Sequence, residues 1–227
     1  MRKLTGLLMM MFVVFALPFL VDGRTPAIAD ELPDMTAQWW QLMFSIPSGA
    51  NPINDSTGNN CMVGQRGPTW FLSGSVTASP IIRSCSIPSG QALFLPVINA
   101  ANINTPGLCG QSDDAATVKQ LRAQIAPLID GATHVSATVD GRAVPNIVRV
   151  KSSVFAIALP AENIFTIECG ETIPEGIYSP GVDDGLYIRL PALRAGNHQI
   201  HLHGELPAFN FVQDITYNLT VVPIKSK

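Results

Sequence analysis

Hydrophobic residues occur along this chain mostly in short runs that alternate with polar residues, which is the pattern of half-buried β-strands. Clusters of Gly, Pro, Asn, Asp and Ser separate the runs and mark turns. The predicted strands cover residues 69–76, 81–87, 91–99, 135–144 (a hairpin that turns at Asp140-Gly141), 147–160, 164–169, 186–190, 198–206 and 211–222. About eight to ten short strands with few helices predict a mainly β fold, an antiparallel two-sheet sandwich of jelly-roll-like or immunoglobulin-like kind.

Two segments have the pattern of short accessory helices. The stretch 36–45 begins with a capping Thr and is dense in large apolar residues. Between residues 118 and 128, apolar residues recur at spacings of three or four. We expect Asp113 and Asp114 to cap this second helix and Asp130 to lie at its end.

The N-terminal segment has the three parts of a secretory signal peptide. Two basic residues follow Met1, an apolar run extends from Leu7 to Val21, and an Ala-x-Ala sequence precedes the expected cleavage point. The run is short for a membrane-spanning helix, although an uncleaved anchor is the alternative. We predict a signal peptide over residues 1–29 and a single exported domain over residues 30–227, periplasmic or secreted.

All four cysteines lie in the predicted exported domain. An even number of Cys in an exported chain indicates disulfides rather than metal ligands, and the sequence has no Cys-x-x-Cys motif. Four Cys allow three connectivities. We favour Cys61 with Cys85 and Cys109 with Cys169, because each pair brackets neighbouring β segments without crossing the other. Free buried thiols are the alternative.

Composition and motifs narrow the function classes. Only 14% of the residues are charged, the net charge is -3, and the basic residues are scattered. Nucleic-acid binding is therefore not expected, because it needs clustered Lys and Arg. Nucleotide binding is not expected either, since no phosphate-cradling Gly motif occurs, and a Ser hydrolase with a G-x-S-x-G turn is disfavoured.

The best candidate for chemistry is the sequence His201-x-His203-x-Glu205 in the predicted strand 198–206. Alternate residues of a strand share a face, so the two imidazoles could bind one Zn or Cu ion together with a carboxylate. Asp214 and His134 are the candidates to complete this metal site. The alternative is a set of solvated side chains on an outer face, with weak His–Asp contacts.

The register of the last two strands can be predicted from their apolar faces. We expect them to form a hairpin through residues 207–210, because both carry apolar residues at alternate positions. The predicted opposite pairs are Ile200 with Tyr217, Leu202 with Ile215, His203 with Asp214 and His201 with Thr216. The polar residues of both strands then share the outer face.

Two weaker candidates are an acidic segment and the tryptophans. Residues 171–185 contain four acidic residues in a predicted loop, which could hold Ca²⁺ but match no calcium motif. Trp39, Trp40 and Trp70 could stack on sugars if exposed, as in a carbohydrate-binding module. Core packing is the alternative for all three.

Three segments resemble a group of uncharacterised exported bacterial proteins. They are CMVGQRGPTWFLSG (61–74), RSCSIPSGQALFLPVIN (83–99) and, near the C-terminus, GNHQIHLHGEL followed by DITYNLTVVP. The resemblance extends over most of the predicted domain. It implies an exported bacterial protein in which Cys61 and Cys85 belong to one structural unit, and it transfers no catalytic residue.

These observations favour an exported, non-catalytic envelope or extracellular protein with a binding or structural role. Its partner would be an extracellular protein or a glycan. One alternative is a metalloprotein that uses His201, His203 and Glu205, as a Zn or Cu carrier or as a Zn-assisted hydrolase. An enzyme would need a cleft around these side chains and an open coordination position. The second alternative is a carbohydrate-binding module.

Overall fold

Two five-stranded β-sheets, packed face to face, form the centre of the computed structural model, which describes residues 28–76, 80–165 and 169–224. The strands are β1 (Thr69–Phe71), β2 (Ile81–Pro88), β3 (Ala92–Ile103), β4 (Thr133–Val139), β5 (Arg142–Ala143), β6 (Val148–Lys151), β7 (Phe155–Leu159), β8 (Gly176–Leu190), β9 (Gly196–Leu206) and β10 (Phe211–Val222). The helices are α1 (Ile28–Ser45) and α2 (Val118–Asp130), and short 3-10 turns lie at Ser48–Ala50 and Pro207–Phe209. The predicted mainly β sandwich with two helices is confirmed.

Sheet A contains β1, β3, β8 and β6 in that order, and β7 pairs with the other half of the β8 edge. Sheet B has the order β2, β10, β9, β4 and β5. Most neighbours are antiparallel, but β1 pairs with β3 and β2 pairs with β10 in parallel. Alternating apolar residues predict a strand and its buried face, whereas they do not predict which distant strand lies beside it.

The core between the sheets follows from the alternation in the strands. β2 alternates buried and exposed residues, and the inner residues of β9 and β10 are almost completely buried. A second apolar layer lies between the other face of sheet A and α1, where Trp39 and Phe94 are buried. Trp39 and Trp70 are only 1% and 6% exposed. These two rings therefore pack in the core, as the alternative to sugar stacking predicted.

Both helices start at positions other than those predicted. α1 begins at Ile28 and not at Thr36, and Pro33 lies inside it. For α2, the capping residue is Thr117 and not Asp113 or Asp114. The Thr117 side chain accepts a hydrogen bond from the Gln120 backbone N–H, and the Gln120 side chain accepts one from the Thr117 backbone N–H. This reciprocal capping box satisfies two helix N–H groups at once.

The prediction of a loop over residues 171–185 is wrong for most of its length, because β8 begins at Gly176. Asp183 and Asp184 are buried in this strand. Asp184 pairs with Arg149, and Asp183 accepts hydrogen bonds from Trp40 and Tyr187. The two residues are thus held inside the protein, which removes them from a loop site for Ca²⁺.

Two other local predictions are confirmed. Asp140 and Gly141 both have positive φ values, 51° and 74°, as a two-residue hairpin turn requires. The disulfides are Cys61–Cys85 and Cys109–Cys169. Two disulfides indicate an oxidising, extracytoplasmic environment.

Two predictions fall outside the described residues wholly or in part. The predicted signal peptide includes residues 1–27, which are not described, and its expected cleavage point lies in the first turn of α1. The predicted strand over 164–169 includes residues 166–168, which are not described either, and it is wrong for the described residues, since Ile164 and Cys169 lie in turns and Phe165 is helical. None of the helices in the described ranges is both long enough and apolar enough to cross a membrane.

Candidate functional site

The predicted polar cluster lies on the outer face of sheet B, on three neighbouring strands. β9 and β10 form the predicted hairpin with the predicted register: Ile200 lies opposite Tyr217, Leu202 opposite Ile215, His201 opposite Thr216, and His203 opposite Asp214. On the other side of β9, Thr133 of β4 lies opposite Glu205. This pairing brings the next residue, His134, to the cluster.

Four hydrogen bonds join the cluster into a chain of alternating imidazoles and carboxylates, here named the His–carboxylate ladder. Asp214 is shared by His201 and His203, with distances of 3.0 Å from His201 Nε2 to Oδ1 and 3.2 Å from His203 Nδ1 to Oδ2. Glu205 is shared by His203 and His134, each through a contact of 3.1 Å. All five residues that the sequence nominated are therefore brought together.

His203 is the central residue of the ladder, since both of its ring nitrogens contact a carboxylate. Only the doubly protonated imidazolium can donate both bonds. Burial alone would lower the pKa of His203, but the bonds to Glu205 and Asp214 outweigh it and raise this pKa above its usual value. Burial would raise the pKa of Asp214, but the two imidazoles lower it, and the bond from His203 lowers the pKa of Glu205.

In the described structure the ladder is a linear chain of paired groups. Both nitrogens of His203 and both oxygens of Asp214 and Glu205 already take part in hydrogen bonds. Within the ranges that the structure describes, no three His, Cys, Asp or Glu side chains are placed to hold a metal ion. Binding of Zn or Cu at this site stays a prediction. Chemically, the ladder is a pH-responsive connection between β4, β9 and β10.

The fourth histidine, His198, belongs to a separate pair. Its Nδ1 lies 2.8 Å from Asp140 Oδ2 in the β4–β5 turn, and its Nε2 lies 2.9 Å from the Arg194 carbonyl. The bond to Asp140 raises the pKa of His198. The same bond lowers the pKa of Asp140. This pair links a turn to β9 and takes no part in the ladder.

A second candidate site, the aromatic cleft, opens at the end of the sandwich near the β9–β10 turn. Its volume is about 780 Å³, and none of its lining side chains is ionisable. The lining residues are Trp39, Trp40, Phe44, Ile53, Gly74, Ser75, Val76, Asn99, Ala100, Ala101, Leu128, Phe165, Leu206, Phe209 and Phe211. They come from α1, the loops before and after β1, β3, α2, the segment after β7, and the β9–β10 turn with its flanking residues.

One wall of the aromatic cleft is a stack of rings. Trp40 stacks on Phe44 at 4.9 Å between ring centroids, and Phe44 stacks on Phe165 at the same distance. The opposite wall comes from the β9–β10 turn, where Phe209 is 58% exposed. A large aromatic residue at the tip of a hairpin turn has little to pack against in the free protein. Its exposure marks the mouth of the cleft.

A buried acid lies behind the ring stack. Asp183 Oδ1 accepts hydrogen bonds of 2.7 Å from both Trp40 Nε1 and the Tyr187 hydroxyl, whereas its Oδ2 is buried without a partner in the described structure. Burial raises the pKa of Asp183 to about 7 although the two donors act in the opposite direction. Burial and the neighbouring Asp183 also raise the pKa of Tyr187. This network fixes the orientation of the Trp40 ring.

Sequence reasoning found the ladder and missed the aromatic cleft. The ladder residues lie on adjacent strands whose register follows from alternation, so their meeting could be predicted. The cleft needs seven segments that are distant in sequence. The local signals were Trp39 and Trp40, which the sequence offered as candidates for ligand stacking, and Phe209, an aromatic residue within a predicted turn.

Comparisons with protein-family models, with curated proteins and with solved structures give no match to this chain. The functional argument therefore depends on the geometry of the two sites.

Proposed function

We propose that this protein is an exported, non-catalytic binding protein whose ligand occupies the aromatic cleft. The observation that carries the proposal is the lining, because six aromatic rings and no ionisable side chain surround about 780 Å³. Concave, mostly apolar sites of this size are typical of ligand binding. A few polar atoms are also present, on Ser75 and Asn99. The ligand is expected to be apolar and uncharged.

Rigidity of the ring stack supports a binding role. Trp39 donates a hydrogen bond of 2.8 Å to the Leu72 carbonyl, and Trp40 is held by Asp183. Rings fixed in this way lose little conformational entropy when a ligand binds. Export is supported by the signal-peptide pattern of residues 1–29 and by the two disulfides.

The proposal is tested with N-phenyl-1-naphthylamine, an uncharged apolar dye whose fluorescence rises in apolar surroundings. We expect saturable binding by the wild-type protein, with energy transfer from the tryptophans, because Trp39 and Trp40 line the cleft. The variant Phe209→Ser should weaken dye binding at least tenfold. Since Phe209 is 58% exposed, its replacement should leave the melting temperature nearly unchanged.

Ile82→Ser is the matched control. Ile82 is 67% exposed on the outer face of sheet B and does not line the cleft. Its replacement removes a similar exposed apolar side chain and should leave dye binding intact. Equal dye binding by the two variants, or no saturable binding by the wild-type protein, would overturn the proposed function.

A further inference from the structure

The aromatic cleft runs along an open edge of sheet A. β3 pairs with β8 over nearly its whole length, from Leu93 to Ile103. On its other side, β3 pairs with β1 only through Ala92, Leu93 and Phe94. Asn99, Ala100 and Ala101 are consecutive β3 residues and all line the cleft. The cleft therefore borders the backbone of β3 as well as its side chains.

The backbone groups that point into the cleft can be identified from the hydrogen-bond pattern. The Asn104 N–H donates to the Pro180 carbonyl at 2.9 Å, and in an antiparallel pair every second residue is bonded to the partner strand. Asn102 and Ala100 thus bond to β8. The N–H and C=O groups of Asn99 and Ala101 point away from β8 and towards the cleft.

Glutamine side chains close this open stretch at both ends. Gln213 Nε2 donates to the Val97 carbonyl, and Gln111 Nε2 donates to the Ile103 carbonyl at 2.6 Å. Between them, no other group in the described parts of the chain bonds to the four backbone groups of Asn99 and Ala101. Among the described residues, the flanking carbonyls thus have partners, whereas a short, regular set of backbone donors and acceptors has none.

The side chains around this edge are mostly apolar on both faces of the sheet. On the face of Asn99 and Ala101, the wall is the ring stack that contains Trp40. On the other face, Ala100 packs with α2, and the β9–β10 turn supplies Phe209. An extended strand places alternate side chains on opposite faces, so both sets would meet apolar walls.

We propose that the occupant of the cleft is an extended, uncharged polypeptide segment with consecutive apolar side chains, which adds as a strand to β3 at Asn99 and Ala101. This inference rests on the proposed function and names its ligand class. Strand addition combines main-chain hydrogen bonds with pockets for alternate side chains. A small apolar molecule would fill the volume and would leave the four backbone groups without partners, at a cost when they lose water. The absence of charge from the lining excludes a charged segment, because desolvating its ions would not be compensated.

The test uses a capped peptide with the core Ile-Val-Phe-Val-Ile and a Lys at each end for solubility. Binding is measured by displacement of N-phenyl-1-naphthylamine and by calorimetry. A second peptide carries N-methyl groups on the amides of one strand edge, and a third carries them on both edges. We expect the second to bind within a few-fold of the first, because its free edge can pair with β3. The third should bind at least tenfold more weakly.

On the protein side, Ala101→Pro removes the N–H that points into the cleft and spares the bonds to β8. Ala101→Ser is its matched control, since it keeps that N–H. We expect calorimetry to show at least tenfold weaker binding of the unmodified peptide by the Pro variant than by the Ser variant. Melting temperatures of both variants show whether the fold is kept. The peptide series tests strand addition on the wild-type protein and needs no variant.

The outcomes separate this inference from the proposed function. Dye binding together with equal affinity for the first and third peptides would overturn strand addition and leave the apolar binding site standing. The same holds if the dye binds and no peptide displaces it. Failure of both dye and peptides to bind would overturn the proposed function and this inference with it.

Discussion

The interior of this protein and the outer face of sheet B hold ionisable groups in opposite ways. Inside, Arg83 and Asp183 are each 1% exposed or less, and their side chains contact only uncharged groups in the described structure. Outside, the His–carboxylate ladder alternates imidazoles with carboxylates over three strands. The first arrangement depends on fixed dipoles, and the second on pairs of opposite charges.

Arg83 shows how a buried cation is accommodated without an anion. Its guanidinium donates to the carbonyls of Ile53, Asp55, Ser73 and Gly74 and to the Tyr217 hydroxyl, and it lies 5.5 Å from the centroid of the Tyr217 ring. These carbonyls belong to the loops before and after β1. Arg83 thereby holds two loops against β2, and the second of them continues into the wall of the aromatic cleft.

Asp183 shows the cost of the same strategy for an anion. Its neutral donors do not offset its burial, to which the charge of the neighbouring Asp184 adds, so its pKa rises to about 7. Asp214 in the ladder has the opposite shift, since the imidazoles outweigh its partial burial. The comparison teaches that the number of hydrogen bonds does not set the direction of the shift. The direction of the pKa shift is set by burial and by the charge of the donors.

The largest effect is expected from Arg83→Met, which keeps the length and removes the donors. At least four buried carbonyls and the Tyr217 hydroxyl would lose a partner, and each such loss costs about 1–3 kcal/mol. We expect the free energy of unfolding to fall by at least about 3 kcal/mol, measured by urea denaturation. Arg189→Met, at an exposed position of β8, is the control and should change it by less than about 0.5 kcal/mol. Similar losses in both variants would show that the hydrogen bonds of Arg83 do not stabilise the fold to this extent.

The next effect is expected from Asp183→Asn, and it depends on pH. The pKa of Asp183 is raised from 3.8 to about 7, so its contribution to stability is present below pH 3.8 and is lost as the pH rises through 7. From pH 5 to pH 8 this loss amounts to about 3 kcal/mol, at about 1.4 kcal/mol per unit up to pH 7. The free energy of unfolding of the variant should therefore rise by that amount relative to wild type between pH 5 and pH 8.

Urea denaturation of both proteins at each pH measures this difference, in which the other titrating groups cancel. Asp114→Asn, at an exposed position, is the control and should show no such trend. A difference between Asp183→Asn and wild type that does not change with pH would mean that the Asp183 carboxyl does not titrate in this range.

The sequence predicted the outer ladder far better than the inner network, for a physical reason. On an exposed face, alternation fixes which residues share the face, and aligned apolar positions fix the register, so His203 could be placed opposite Asp214. Inside, an acidic pair in a Pro- and Gly-rich segment has the composition of a loop. Asp183 and Asp184 are nevertheless in the middle of β8, because Trp40 of α1 and Arg149 of β6 bind their carboxylates, together with Tyr187 of β8 itself.

The aromatic cleft could not be predicted for a related reason. Its walls depend on the parallel pairing of β1 with β3, which leaves the rest of the β3 edge open, and on the position of α1. Neither the parallel pairing nor the position of α1 can be predicted from the local spacing of apolar residues. The start of α1 at Ile28 also escaped prediction, since Pro33 interrupts the expected helical pattern and Pro is accepted within the helix.

On the outer face, His203→Gln should have a smaller effect with a different dependence on pH. The pKa of His203 is raised, so its contribution to the stability of the fold is present below pH 6.5. This contribution is lost as the pH rises through the raised pKa. The pKa values of Asp214 and Glu205 are lowered, so their contributions to stability are present above pH 3.8 for Asp214 and above pH 4.5 for Glu205. Both contributions are lost at lower pH. The ladder therefore stabilises the fold most between pH 4.5 and 6.5.

In that window we expect the variant to lose less than about 1 kcal/mol in the free energy of unfolding, because the groups are partly exposed. At pH 8.5 the difference from wild type should shrink towards zero. Asn218→Ala, which removes an exposed polar side chain from the same face, is the control without a pH trend. A difference that grows above pH 7 would contradict the assigned sign.

The smallest effect is expected at the end of the ladder, from His134→Ala. The His134 side chain is 73% exposed, so its removal should leave the free energy of unfolding unchanged within error. It shares Glu205 with His203, and when protonated it places a like charge near that imidazole. Its loss should raise the pKa of His203 further, which a titration of the imidazole resonances by NMR can measure. Ser136→Ala, opposite His203 on β4, tests whether any change on that strand has the same effect. A pKa of His203 that falls in His134→Ala would mean that His134 orders Glu205 more than it repels His203, and the ladder would then act as one connected unit rather than as a series of separate pairs.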